Sequence, residues 1–224
     1  MVGFYGNMRG KGEILMKRMI KKWLGILVLL TLIGCSSEST TGQKVDGVLK
    51  PVKQNERNAQ LIGSLGFDQL FMYDLDIKNK DMKMIYFWIE HYKNGEKQED
   101  LINGATATNE EMSLAVSKLN FKLEDETTYT RWTYSVADGV ALSSMESLPM
   151  EVVDPEKLGM ASTWMDDEFK IKAEKPINLA VIARYDGNSV GIGLDEEIIQ
   201  RAIQSSDEVY VVKVKVSKNE EFAE

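Results

Sequence analysis

Between residues 71 and 78 apolar and polar side chains alternate one by one, with Phe71, Tyr73, Leu75 and Ile77 on one face and Asp74, Asp76 and Lys78 on the other. A period of two belongs to a strand with one buried and one wetted face. Asn79-Lys80-Asp81 supplies a turn. Met82 to Tyr92 then carries apolar residues on both faces, Met84, Tyr86 and Trp88 against Ile85, Phe87 and Ile89, as a central strand does. Lys93-Asn94-Gly95-Glu96 is a hairpin signal, because Asn and Gly tolerate the left-handed backbone of a tight two-residue turn. Further strands are expected at Met112 to Val116, at Leu119 to Leu123 with the phase slipped as at a bulge, and at Tyr129 to Val136 with Trp132, Tyr134 and Val136 inward.

The C-terminal third changes period once. Ile177 to Tyr185 reads as a strand and Asp186 to Gly193 as a loop. Asp195 to Gln204 reads as a helix, with Ile198, Ile199, Ala202 and Ile203 forming an apolar stripe. Its acids Asp195, Glu196 and Glu197 suit the positive end of the helix dipole. Glu208 to Val216 returns to alternation, with Tyr210, Val212, Val214 and Val216 against Lys213 and Lys215. The pattern predicts a mainly β fold: an antiparallel, sandwich-like domain with one C-terminal helix between the last two strands. No internal repeat and no second domain boundary is visible, and residues 61–218 are expected to form the domain, with 219–224 as a tail.

Ahead of this domain the pattern is of another kind. Lys17, Arg18, Lys21 and Lys22 precede an apolar run from Trp23 to Ile33, eleven residues where a helix crossing about 30 Å of hydrocarbon takes about 20. Charge, short apolar segment and small residues in that order make a secretory signal. Leu32-Ile33-Gly34-Cys35 resembles the lipobox of bacterial lipoproteins. The resemblance implies that the Cys35 thiol receives a diacylglyceryl group, that cleavage falls between Gly34 and Cys35, and that acyl chains such as palmitate hold the protein on the outer face of the cell membrane. Two chains anchor stably where one is marginal. A core cysteine ending a core helix would be followed by renewed apolar periodicity, whereas Ser36-Ser37-Glu38-Ser39-Thr40-Thr41-Gly42 is polar throughout. Lys11-Gly12-Glu13 reads back into codons as a ribosome-binding site ahead of Met16, so residues 1–15 are expected to precede the true start and 16–34 to be the signal peptide. Residues 35–60, polar and without apolar periodicity, are expected to be a flexible tether.

Composition refines the picture. The 224 residues are 43% hydrophobic and 28% charged, enough for one sizeable core. Of 27 basic and 35 acidic side chains, six and one lie ahead of Cys35, leaving 21 and 34 and a net charge of −13 on the expected mature chain. Such a surface repels phosphate backbones, which excludes nucleic acid as a partner. With Cys35 lipidated no thiol remains for a disulfide, a metal or a nucleophile.

Candidate chemistry is sparse. Gly187-Asn188-Ser189-Val190-Gly191-Ile192-Gly193 lies between a strand and a helix but has neither dinucleotide nor Walker spacing, and reads as a connecting loop. His91 is the one histidine, placed on a strand face with Ile85, Phe87 and Ile89, and reads as a packed or edge residue rather than a base. Asp74, Asp76 and Asp81 lack the glycine and terminal glutamate of a calcium loop. Three acid runs, Glu124-Asp125-Glu126, Asp166-Asp167-Glu168 and Asp195-Glu196-Glu197, are read as solvated turns. Of the tryptophans and tyrosines that would stack on sugars, Trp164 and Tyr129 are the exposed candidates and Trp132 is inward. No catalytic residue, metal or cofactor is expected; the sites expected are Cys35 for lipid and Leu32, Ile33 and Gly34 for cleavage. Three functions fit: a non-enzymatic binding module for a small ligand or an envelope protein, a cell-wall hydrolase with paired carboxylates, or a structural or regulatory partner of a membrane complex.

Overall fold

The computed structural model describes residues 45–53, 64, 66–124, 126–152, 157–187 and 189–220. The lipobox, the signal segment and the Met16 start lie outside these residues. Thirteen strands and one helix are found among the described residues, in two antiparallel sheets.

The first sheet is built around β2 (Gln69–Ile77), β6 (Glu111–Lys122) and β7 (Thr128–Ala137). It is flanked on one side by β1 (Gly47–Pro51) and β11 (Phe169–Ile171), and on the other by β8 (Leu142–Glu146) and β9 (Met150–Glu151), both paired to β7. The second sheet runs β10 (Gly159–Trp164), β12 (Ile177–Tyr185), β13 (Glu208–Ser217), β3 (Met84–Lys93), with β4 (Glu96–Lys97) and β5 (Ile102–Ala107) both on β3. Helix α1 (Glu196–Ser205) connects β12 to β13.

Alternation explains most of this. Phe71, Tyr73, Leu75 and Ile77 of β2 and Trp132, Tyr134 and Val136 of β7 are buried between the sheets, facing Ile85, Phe87 and Ile89 of β3 and Val212, Val214 and Val216 of β13. The β3–β4 turn takes the expected left-handed backbone, φ 51° at Asn94 and 83° at Gly95. Helix α1 lays Ile199 and Ile203 on the far face of the second sheet, against Val181, Ala183, Val209 and Val211, so β12 and β13 are apolar on both faces where the helix covers them. A register shift between Asn178 and Ala180 bulges β12 at Leu179, and the Tyr73 hydroxyl donates across the sandwich to the Leu179 carbonyl at 2.8 Å.

Three elements differ from the sequence reading. Gly47–Pro51, inside the expected 35–60 tether, is strand β1, paired to β2 on one side and β11 on the other, with Leu49 fully buried. Five residues offering one large inward side chain make no periodic signal, so the fold extends ahead of Leu61 unannounced. The two strands expected at 112–116 and 119–123 are one strand, β6, whose register against β7 is unbroken from Ser113 to Lys122. There is no bulge; the apolar residues change face because the inner row turns polar. The edge strands β5 and β8 to β11 have weak alternation, since an edge strand buries little, and the pattern does not reveal them.

Candidate functional site

The inner row of β6 runs Met112, Leu114, Val116, then Lys118 and Asn120. Its neighbours across the β6–β7 ladder are Trp132, opposite Lys118, and Thr130, opposite Asn120. In the facing sheet the inner row of β3 ends Ile89, His91, that of β13 begins Glu208, Tyr210, and that of β12 ends Ile182, Arg184. One end of the sandwich is therefore polar. Trp132 and Tyr210 close the apolar core there, their rings 5.2 Å apart, and Tyr210 stacks on His91 at 5.0 Å with an 8° interplanar angle.

Glu208 organises this layer. His91 Nε2 lies 2.9 Å from its Oε1, and Arg184 Nη1 donates to its Oε2 at 3.1 Å. Burial pushes the Glu208 carboxyl up, but the hydrogen bonds from His91 and Tyr210 and the nearby Arg184 guanidinium outweigh it and hold the group below the usual carboxylate range. The Tyr210 hydroxyl is pushed well up by burial and by Glu208.

Lys118 is 4% exposed. Its Nζ donates to Asn120 Oδ1 at 2.8 Å, a neutral acceptor. Burial pulls its pKa down, opposed by Asp68 and reinforced by Arg184. A pocket of about 600 Å³ opens on the same end, with Arg184 and Glu208 in its wall. Its other charged lining residues are Lys93 and Lys157 against Glu151, Asp186 and Asp207.

The candidates read from the sequence are scattered by comparison. Cys35, Leu32, Ile33 and Gly34 lie outside the described residues. Asp74 accepts from Ser113, Asp76 pairs with Lys78, and Asp81 is exposed in the turn. Trp164 is 40% exposed at the edge, its ring 6.1 Å from Phe71; Tyr129 stacks on Phe121 outside the sandwich. Of the acid runs, Asp166-Asp167-Glu168 connects β10 to β11, and Asp195 caps α1 without a side-chain hydrogen bond. Only His91 joins the polar end. Lys118, Arg184 and Glu208 escaped the sequence reading, although Lys118 left a trace: it is the inward position at which the β6 alternation breaks.

Residues 48–216 match the YgaN domain, the whole of both sheets apart from single terminal residues. The chain belongs to the YgaN domain family. No curated protein and no solved structure matches it. The polar end lies wholly within the YgaN domain, since His91, Lys118, Arg184 and Glu208 all fall inside the matched residues. Val140 and Leu148, on either side of β8, and Leu142, its first residue, are the most exposed large apolar side chains among the described residues of the YgaN domain.

Proposed function

We propose that the protein is a lipid-anchored lipoprotein of the bacterial cell envelope, whose YgaN domain works outside the membrane as a non-enzymatic binding module for a small ligand. The observation that carries this reading is Leu32-Ile33-Gly34-Cys35, directly after a basic and then an apolar segment too short to span. No helix among the described residues is long and apolar enough to cross a membrane. Binding as the role is supported by the polar end, whose pocket has the size of small-molecule sites, roughly 300 to 1,000 Å³. Among the described residues no three His, Cys, Asp or Glu side chains are grouped as metal ligands are.

The anchor is tested in bacteria that express the full chain with labelled fatty acid. Wild-type protein is expected in the membrane fraction carrying label. Cys35→Ala is expected to carry none and to leave that fraction. Label retained by Cys35→Ala would sink the proposal.

A further inference from the structure

The polar end has more buried donors than acceptors. Lys118, Asn120, Thr130 and Trp132 form a square of inward side chains on the first sheet, and cross-strand neighbours there have Cβ atoms about 4.5 to 5.5 Å apart. Trp132 is fully buried and Thr130 is 2% exposed, yet among the described residues Trp132 Nε1 and Thr130 Oγ1 have no hydrogen-bond partner. The Lys118 ammonium has three N–H groups and gives one to Asn120. Neither nearby carboxylate completes it: Glu208 is taken by His91, Arg184 and Tyr210, and Asp68 Oδ2 accepts the Asn120 backbone N–H. A buried charge with a single neutral partner is costly, and so is a buried donor without an acceptor.

Resting on the reading of the domain as a small-ligand binder, we propose that this site takes a small monocarboxylate, its oxygens accepting from Lys118 Nζ, Trp132 Nε1 and Thr130 Oγ1, with the rest of the molecule in the pocket beside Arg184. Three donors from neighbouring inward positions of one sheet call for an acceptor-only group, and a carboxylate offers about four lone-pair sites. The mouth selects its charge. Four acids against three bases line the pocket, so a phosphate dianion is opposed about twice as strongly as a single negative charge on its way to the ammonium within.

The chain extracted in detergent and labelled with ¹⁵N at tryptophan reports directly through the indole N–H signals of Trp88, Trp132 and Trp164, with that of Trp132 assigned by its loss in Trp132→Phe. Sodium acetate, titrated at constant ionic strength, is expected to shift the Trp132 signal saturably while sodium phosphate does not. Lys118→Met is expected to weaken the acetate response by about tenfold or more, the usual cost of one charge-assisted hydrogen bond, while the Trp88 and Trp164 signals stay in place as evidence of folding. A Trp132 signal that ignores acetate, an equal response to phosphate, or an undiminished response in folded Lys118→Met would each overturn the proposal. Should Lys118→Met not fold, the wild-type titration decides alone. A flat titration beside Cys35-dependent membrane retention removes the carboxylate and leaves the anchored module standing; a saturable shift without that retention does the reverse.

Discussion

Phe87 shows at the scale of one residue how the two sheets hold together. Its ring stacks on Tyr134 of the opposite sheet at 4.6 Å, and it packs so closely on Gly104 that a Cβ there would come within 2.6 Å of the ring. Phe87→Ala is expected to cost about 3 to 5 kcal/mol, out of the roughly 5 to 15 kcal/mol that a domain has; a urea melt checks it, and a loss below about 1 kcal/mol would place the core elsewhere. Phe87 was legible because an aromatic on the inward phase of a central strand has one plausible environment. Glu208 was not, since its partners His91 and Arg184 lie 117 and 24 positions away and no local pattern joins them. Its acid dependence follows from its lowered pKa. The carboxylate's stabilisation is fully present above the ordinary value of 4.5 and is lost as pH falls through the lower folded value. Melting temperatures measured across that acid range are expected to fall more steeply in wild type than in Glu208→Gln, and parallel slopes would contradict the Glu208 pairing.

Among the elements, β1 carries the clearest consequence. Asp46, just ahead of it, accepts the backbone N–H groups of Lys78 and Asn79 on its carbonyl, and its carboxylate takes Asn79 Nδ2 and the Ala173 N–H. It thereby ties the β2–β3 turn to the end of β11. A fragment beginning at Leu61 would lose Leu49, the Asp46 contacts and the partner of β11. It is expected to be less stable in urea than one beginning at Val45 by at least the 2 to 5 kcal/mol typical of a Leu→Ala change in a core. Equal midpoints would mean that β1 adds nothing. Long central strands were legible by alternation. Strand β6 was half legible: its apolar half was read correctly, and its polar half was taken for a bulge because packing rules do not anticipate a core row that ends in a buried lysine.

For the whole molecule, the antiparallel sandwich with a helix between its last two strands follows from period two repeated along the chain and broken once. The polar end does not, because it exists only after β3, β6, β12 and β13 from two sheets are brought to one end. The anchored state of the protein is proposed from four residues, Leu32 to Cys35, and mass spectrometry of the intact chain extracted from membranes tests it most directly. An N-terminal Cys35 carrying a diacylglyceryl group is the expected result; a chain that retains Gly34 and the residues before it, with an unmodified Cys35 thiol, would contradict the account.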